Sequence, residues 1–335
     1  MNSKIKIYFI ENSYDYNASD LNTSKIAGSE KTLINITNEL AKDKNLIIKV
    51  FNNTSVPFSK INNVYWDNIN KIDNDDKPDF VVAMSDANLL NNLNCKKNFL
   101  WSHSIQSFEK FIRKKQLLPF LRYKPKMILE GEYHFNQRSF LTSFYGKKIL
   151  KIAPDYDFID TQIETNHIPP PTAIFTTKSD RNLNFLINSW HEINKKNSKT
   201  NLYINPPYKL SEIDKTMGIH LRNKGDKKKL ILDLINSRLF LTPGHKTEVF
   251  CLAAEEAREL CIPIVTMGYG CLYERVEHGV TGFIAKNRNE FINYAYEILT
   301  NDKTYLDLKR NLIEMKNSRN YSHVRNDFLN ILNNE

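Results

Sequence analysis

Short apolar runs recur through the first half of the chain, and helical patterns separate them. Each run has the length of a buried strand, and Leu33, Ile36 and Leu40 are spaced for one face of a helix that opens near Gly28. The predicted strands cover residues 4–10, 45–51, 79–84, 97–101, 125–129 and 148–152. Strands that alternate with helices are typical of parallel βαβ units. We therefore predict a Rossmann-like first domain.

The same alternation returns after a proline-rich segment. Three prolines follow Ile168 and can continue neither a helix nor a sheet ladder, so we place the domain boundary at residue 165. The strands predicted beyond it cover residues 173–176, 201–204, 239–243 and 262–267, and the helices residues 182–193 and 249–260. The chain is therefore predicted to be an α/β protein with two Rossmann-like domains, 1–165 and 166–315, and a C-terminal segment 316–335.

Two glutamates lie on either side of the start of the helix predicted at 249–260. Glu248 precedes it, with Thr247 as a candidate N-cap, and Glu256 falls at the edge of its apolar face. A carboxylate there can accept two hydroxyl hydrogen bonds, and helix N-termini beyond strand ends favour anions. The segment therefore indicates a site for a ligand with phosphate and hydroxyl groups. Periodicity alone also fits a solvated Glu256 and a Glu248 that complements the helix dipole.

Two motifs follow each other in a fixed order. A glutamate, seven residues and Glu-Ala are formed by Glu248 and Glu256-Ala257, and residues 270–282 read Gly-Cys-Leu-Tyr-Glu-Arg-Val-Glu-His-Gly-Val-Thr-Gly. This order resembles the C-terminal half of GT-B glycosyltransferases, most closely the retaining enzymes of glycosyltransferase family 4. The resemblance implies the GT-B fold, in which two Rossmann-like sheets face each other across a cleft. It also implies that residues 316–335 form a helix that packs back on the first domain.

The resemblance assigns a role to residues around the second-domain helix. Glu256 would bind the ribose of a nucleotide-sugar donor, UDP- or GDP-linked, and Glu248 would bind hydroxyl groups of the donor sugar. The backbone amides of Val249, Phe250 and Cys251 would meet the donor diphosphate. Family members usually carry glycines on both sides of the phenylalanine. Val249 and Cys251 replace them here and narrow the space near the phosphates.

Two cations and a histidine complete the predicted site. The family supplies an arginine and a lysine to the leaving diphosphate, whose growing negative charge fixed cations stabilise. Arg181 and Lys178 are the candidates in this chain. His103 follows a strand and matches a histidine at the acceptor side of the family's site, and Gly28 matches a turn that approaches the donor. We expect Glu248, His103 and Arg181 to act in catalysis and the others in donor binding, although each also fits a structural or exposed position.

Other chemistries have little support in the sequence. It contains no G-x-S-x-G elbow, no P-loop and no H-E-x-x-H zinc helix. Asp73, Asp75 and Asp76 lie in a polar, loop-like run and make no persuasive D-x-D element of the kind that metal-dependent glycosyltransferases use. We therefore expect no catalytic metal.

The chain is basic, with a formal charge of +9 and a pI near 9.1. An anionic membrane surface or a negatively charged donor would be attracted to it. A nucleic-acid partner is disfavoured, because the basic residues are scattered and no RNP-like module is present. We assign most of the charge to a solvated surface and a minor share to a membrane-facing patch on the first domain. Membrane-length apolar runs and a signal-peptide pattern are both missing, so we expect a cytoplasmic protein with peripheral contact at the inner face of the membrane.

These features favour a glycosyltransferase that transfers a sugar from a nucleotide-sugar to a glycan or glycolipid acceptor, held by the first domain, in polysaccharide biosynthesis. Retention of anomeric configuration is implied by the family resemblance. Two alternatives remain at this stage. A sugar-nucleotide epimerase of the same fold would share the nucleotide site and transfer nothing. A non-catalytic relative that binds a glycan or a partner enzyme would fit the altered glycine and cationic positions.

Overall fold

The computed structural model describes residues 4–23, 25–73, 75–93, 95, 97–223, 225–316 and 318–334. The chain forms two compact units: the first comprises Met1–Ile152 and Asn320–Glu335, and the second comprises Ala153–Arg319. Each unit is built on a sheet of mainly parallel strands that helices connect. The prediction of an α/β protein with two parallel-sheet domains is therefore confirmed.

Eight strands form the sheet of the first unit, within the part of the chain that the structure describes. They are β1 (Ile5–Ile10), β2 (Leu46–Asn52), β3 (Ser59–Ile61), β4 (Val64–Asn68), β5 (Phe80–Met84), β6 (Lys97–Trp101), β7 (Lys126–Leu129) and β8 (Lys147–Ile149). Their order is β3-β4-β2-β1-β5-β6-β7-β8, and all neighbours except β3 and β4 are parallel. The chain leaves β1 toward β2 and later continues from β5 on the other side. The topological switch point of this sheet therefore lies between β1 and β5.

Apolar composition explains why β5 lies at the centre of its sheet. Every residue of this strand, Phe-Val-Val-Ala-Met, is buried, as expected for a parallel strand that is covered on both faces. The helices that precede and follow it are α1 (Gly28–Leu40), α2 (Phe108–Arg113), α3 (Leu117–Tyr123) and α4 (Glu132–Asn136). Short 3-10 segments lie at Ala18–Asp20, Ile69–Lys71, Ala87–Asn92 and Phe140–Ser143.

The sheet of the second unit has six strands in its described residues, and all of them are parallel. They are β9 (Thr172–Phe175), β10 (Asn201–Ile204), β11 (Ile219–Leu221), β12 (Leu239–Leu241), β13 (Ile264–Thr266) and β14 (Gly282–Ile284). Their order is β11-β10-β9-β12-β13-β14. The switch point lies between β9 and β12, and ligands of open α/β sheets bind beyond the carboxyl ends of such strands.

Helices pack on this second sheet and enclose its core. They are α5 (Tyr156–Ile159), α6 (Leu183–Lys196), α7 (Glu212–Thr216), α8 (Lys227–Ile235), α9 (Leu252–Glu259), α10 (Arg288–Thr300) and α11 (Asp302–Glu314), with a 3-10 segment at Gly270–Glu274. Trp190 of α6 and Phe291 of α10 are fully buried in one apolar cluster between these helices and the strands. No helix among the described residues has both the length and the apolar character that a membrane span requires.

The last helix, α12 (Tyr321–Asn333), belongs to the first unit. Asn320 caps it through a capping box. The ring of Phe328 stacks on that of Phe9 in β1, with centroids 5.7 Å apart, and Arg325 pairs with Asp43 at 3.3 Å. These contacts join the C-terminal helix to the N-terminal sheet, across nearly the whole length of the sequence.

The division between the units falls at residue 152, earlier than the boundary at 165 that the prolines suggest. Asp155 pairs with Lys227 at 2.8 Å, and the carbonyl oxygen of Pro169 accepts two hydrogen bonds from the buried guanidinium of Arg238. Residues 153–171 are therefore packed into the second unit. The prolines stiffen a part of that unit and do not form a free linker.

Candidate active site

Loops that follow β9 and β12 meet at the switch point of the second sheet. Nε of Arg181, from the first of these loops, lies 3.0 Å from Oε2 of Glu248 in the second. Nη1 of Arg181 also donates to Oγ1 of Thr247 at 2.9 Å. A guanidinium and a carboxylate from distant parts of the sequence thus share one site beyond the strand ends.

Glu248 is held in a partly buried position. Burial raises the pKa of its carboxyl group, and the Arg181 guanidinium lowers it only in part, so the pKa stays above its ordinary value. Arg181 also contacts Asp180, whose carboxylate lies 3.3 Å from Nη1. Within the residues that the structure describes, Nη2 of Arg181 makes no hydrogen bond. The guanidinium therefore retains donors for a further anionic group.

A third loop, after β13, packs against the backbone of the loop that carries Glu248. The amide of Cys271 donates to the carbonyl oxygen of Glu248 at 3.0 Å. Gly270 adopts φ 70°, and a Cβ at this position would lie 2.3 Å from the carbonyl oxygen of His245 and 2.8 Å from that of Glu248. Only glycine fits such an approach without displacing backbone. The backbone of the Glu248 loop is therefore set by a glycine that lies more than twenty residues later in the sequence.

Helix α9 begins later than predicted. The expected helix covered 249–260 with Thr247 as its cap, whereas α9 spans Leu252–Glu259 and its N-cap is Cys251. Both predictions were wrong for the same reason: Cys251 adopts the left-handed conformation, φ 58°, which ends any helix approaching from residue 249. Thr247 instead accepts a hydrogen bond from Arg181. Cys251 thus has the backbone conformation that the glycine of the resembled motif would favour.

The turn before α9 leaves backbone donors available. In the described part of the chain, the amides of Val249, Phe250 and Cys251 donate to no carbonyl group or side chain. These amides precede a helix N-terminus, where unpaired N–H groups favour an anion. The sequence prediction that they meet a diphosphate is compatible with this geometry.

Two adjacent glutamates of α9, Glu255 and Glu256, are both buried. Glu255 pairs with Arg275 at 3.0 Å and with Arg258 at 3.1 Å. Arg275 is buried as well, and the two charges compensate each other. Glu256 is 8% exposed. The sequence offered no signal for Arg275 beyond its place in the second motif.

Phe250 is fixed by the same buried arginine. Its ring lies under the Arg275 guanidinium at 4.2 Å, and its carbonyl oxygen accepts a hydrogen bond from Nε of Arg275 at 2.8 Å. Lys178, by contrast, is exposed, and its carbonyl oxygen accepts from the Arg181 amide at 3.0 Å in a turn. Among the residues described, its ammonium group makes no ion pair.

A pocket of about 360 Å³ lies beyond the strand ends of the first sheet, at its switch point. It is lined by residues that follow β1, β5 and β6 and by the starts of α1 and α2. The chemically active members of its lining are Glu11, Glu30, Asp86, His103, Lys110 and Lys114. Gly28 is the exposed first residue of α1, and the two residues after it, Ser29 and Glu30, reach this pocket.

His103 forms a pair that sequence reasoning missed. Its Nδ1 lies 2.6 Å from Oε1 of Glu130, which directly follows β7, the parallel neighbour of β6. Burial lowers the pKa of His103, but Glu130, Glu30 and Glu11 outweigh this effect, and the pKa lies above its ordinary value. Nε2 of His103 has no partner among the described residues. The position of Glu130 at the end of a strand adjacent to that of His103 was the available signal.

Comparison with known proteins agrees with this architecture. Residues 177–315 match the family model described as Glycosyl transferases group 1. The chain carries a glycosyltransferase group 1 domain. This domain contains Arg181, Lys178 and both motif glutamates. No curated protein matches the chain in sequence.

Solved structures resemble the whole chain as well as its group 1 domain. Sucrose-phosphate synthase from Thermosynechococcus elongatus is 10% identical with a TM-score of 0.73, and 99% of each chain is covered. Anabaena HepE, solved in complex with UDP-glucose, is 14% identical with a TM-score of 0.73 over 99% of this chain and 100% of its own. Trehalose-6-phosphate synthase OtsA is 10% identical with a TM-score of 0.71 over 98% and 99%. At such identities the likeness shows the fold, which is that of GT-B glycosyltransferases.

The pair of His103 and Glu130 predicts a pH-dependent stability. Because the folded-state pKa of His103 exceeds its unfolded value, the pair stabilises the fold fully below about pH 6.5, and this stabilisation is lost as the pH rises through the folded-state pKa. We expect His103→Gln to lower the melting temperature more at acidic than at alkaline pH. Glu130→Gln should remove the same pH dependence. Parallel curves of melting temperature against pH for wild type and both variants would contradict the pairing.

Proposed function

We propose that this protein is a metal-independent glycosyltransferase that moves a sugar from a UDP- or GDP-linked donor to a glycan or glycolipid acceptor. The observation that carries the proposal is the Arg181–Glu248 pair, which lies at the switch point of the second sheet within the group 1 domain. Retention of anomeric configuration is part of the proposal and rests on the family resemblance.

The donor diphosphate would occupy the loop ends around Arg181. Among the described residues, the guanidinium has donors that no protein group uses and three unpaired amides precede α9, and Lys178 adds an exposed ammonium group. When the bond between the sugar and the phosphate breaks, negative charge grows on the leaving diphosphate. Fixed cations and amides aimed at this charge lower the barrier. A metal ion has no required part in this scheme.

Glu256 and Glu248 would accept hydrogen bonds from the hydroxyl groups of the donor. A carboxylate accepts hydrogen bonds through two oxygens, which suits the neighbouring hydroxyls of a ribose or a hexose. Glu256 would take the ribose and Glu248 the sugar. The contact between Glu248 and Arg181 would then hold the sugar-binding carboxylate next to the cation that binds the diphosphate.

The pocket of the first unit would take the acceptor. His103 lines it, and the contact between its Nδ1 and Glu130 fixes the orientation of the ring. In the transfer, the acceptor oxygen forms a bond to the anomeric carbon, and the bond from that carbon to the diphosphate oxygen breaks. The acceptor proton passes to the leaving diphosphate, since no second carboxylate is assigned as a nucleophile.

Donor binding is the first test, and two adjacent glutamates provide its control. A panel of UDP- and GDP-sugars is screened for a rise in melting temperature, because a ligand that binds the folded state stabilises it. Glu256→Gln is expected to weaken donor affinity by about 10–100-fold. Glu255→Gln should instead lower the melting temperature without donor, because Glu255 compensates the buried Arg275.

Three outcomes separate the alternatives. Stabilisation by a nucleotide-sugar, followed by sugar transfer to an added acceptor, supports the proposal. Interconversion of the donor sugar without an acceptor would identify an epimerase. Failure of every UDP- and GDP-sugar to stabilise the protein would overturn the assignment of the second unit.

A further inference from the structure

One surface of the first unit exposes an unusual number of large apolar side chains. Phe140 is 81% exposed, Leu118 77% and Phe144 69%. They belong to a set contributed by α2, α3 and residues 140–144, which we call the apolar patch. Its exposed members are Phe108, Ile112, Leu118, Leu121, Phe140, Leu141 and Phe144. Contiguous exposed apolar surface of this kind marks an interaction site.

A shallow groove shows that four of these side chains share one surface: Phe108, Leu121, Leu141 and Phe144. Its volume is about 150 Å³, and it is lined from α2, α3 and the 140–144 segment together. Thr142 is the polar member of its lining, and the other lining residues are all Phe or Leu. The buried rings of Phe111 and Phe120 form the groove floor and pack edge to face with centroids 5.1 Å apart. The apolar patch therefore lies on helices that are packed against each other through buried rings.

The segment that carries these helices also concentrates the positive charge of the chain, which corrects the expectation that the basic residues are scattered. Residues 108–126 contain seven lysines and arginines and one glutamate. Their formal net charge is therefore +6, compared with +9 for the whole sequence. The exposed cations among them, which we call the basic rim, are Arg113, Lys114, Lys115, Arg122 and Lys124. Apolar side chains interleaved with cations on short amphipathic helices match a lipid surface, where the former enter the acyl boundary and the latter meet lipid phosphates.

We propose that the apolar patch and its basic rim dock this protein on an anionic bilayer surface. Phe140, Leu118 and Phe144 insert at the boundary between headgroups and acyl chains. Charge complementarity favours an anionic membrane over an apolar protein partner, because an apolar partner would leave the basic rim without opposite charges.

The docking surface also narrows the acceptor class, and this step rests on the proposed function. Helix α2 carries Phe108 and Ile112 in the patch, and on the same helix Lys110 reaches the pocket of the first unit. Lys114, one residue beyond α2, lines that pocket too. A docked protein would thus hold its pocket beside the lipid headgroups. The acceptor that fits is a lipid-linked one with an anionic group for these two lysines.

Vesicle sedimentation tests the docking without any substrate. The full chain is mixed with vesicles of phosphatidylcholine and phosphatidylglycerol, or of phosphatidylcholine alone, at low and high salt. We expect binding to the anionic vesicles and weak binding to the neutral ones. The apolar variant, Leu118→Ser with Phe140→Ser and Phe144→Ser, should reduce the partition coefficient at least about tenfold at both salt levels. The charge variant, Arg113→Glu with Lys115→Glu and Arg122→Glu, should lose binding mainly at low salt.

Matched controls come from the second unit. Ile213→Ser with Leu232→Ser removes exposed apolar side chains, and Lys199→Glu with Lys228→Glu removes exposed charges. Both controls should bind as wild type does, and unchanged melting temperatures verify folding. The proposal would be overturned if the wild-type protein does not sediment with anionic vesicles at low salt. It would also be overturned if the apolar variant binds these vesicles as strongly as wild type does. If the wild-type protein is a dimer that does not bind vesicles, and the apolar variant is a monomer, the apolar patch is a self-association surface. Failure to bind any donor, by contrast, would contradict only the proposed function and not the membrane docking.

Discussion

Arg181→Ala is expected to reduce the rate of sugar transfer by about 10²–10³-fold, the cost of removing one fixed charge from a developing anion. The guanidinium lies against Glu248 and Thr247 with donors left over, at the strand ends where the donor diphosphate would bind. Initial rates are measured with the donor that the nucleotide-sugar panel identifies, at saturating acceptor. Arg181→Lys should recover part of the rate, because it keeps the charge but loses the planar fork of donors.

Controls separate a catalytic from a structural arginine. Arg310→Ala removes an exposed ion pair with Asp307 in the same unit and should leave both rate and stability near wild type. If Arg181→Ala lowers only the melting temperature and retains the wild-type rate, its pair with Glu248 is structural, and the proposed role in transfer is wrong.

Gly270→Ala is expected to destabilise the second unit far more than Gly279→Ala, although both residues have a left-handed backbone. Their φ values are 70° and 79°, so each alanine carries the cost of that conformation, about 1–2 kcal/mol. A Cβ at Gly279 meets nothing within 4 Å, whereas at Gly270 it meets the carbonyl oxygens of His245 and Glu248. Displacing this backbone should add about 1–3 kcal/mol.

Thermal unfolding checks this pair of variants. Each kcal/mol corresponds to roughly 2–4 °C in a unit of this size, so the melting temperature of Gly270→Ala should fall well below that of Gly279→Ala. Because the displaced backbone carries Glu248, Gly270→Ala should also lose donor stabilisation. Equal melting temperatures for the two variants would show that the 242–251 loop adapts freely and that Gly270 does not set its shape.

Much of the fold could be predicted from local pattern. The strands predicted at 97–101 and 201–204 coincide with β6 and β10, and most others agree within a few residues. Continuous apolar runs identify central parallel strands, because both faces of such strands are buried. The strands without a prediction, β3, β4, β11 and β14, lie at sheet edges or next to them. They are short and partly polar, and their conformation comes from pairing with a neighbour.

The candidate site was predictable in part. The family resemblance made Arg181 and Glu248 candidate site residues, and the structure brings their side chains into contact beyond the strand ends of one sheet. Glu130 was not found, because a single glutamate after a strand is common, and only the register of β6 and β7 places it beside His103. The basic rim is visible as a charge count over 108–126, but the exposure of its apolar neighbours is known only from the structure.

The class of fold and the candidate residues in the loops after β9 and β12 could be read from the sequence, since they follow from short-range periodicity and motif order. Tertiary structure decided where α9 begins, because the left-handed turn at Cys251 is held by the loops packed around it. It also decided that Glu255 is structural, through its pair with Arg275. Finally, it decided that Phe140 and Leu118 face solvent. Burial, ion pairing and close backbone approach depend on partners distant in the chain, which local pattern does not contain.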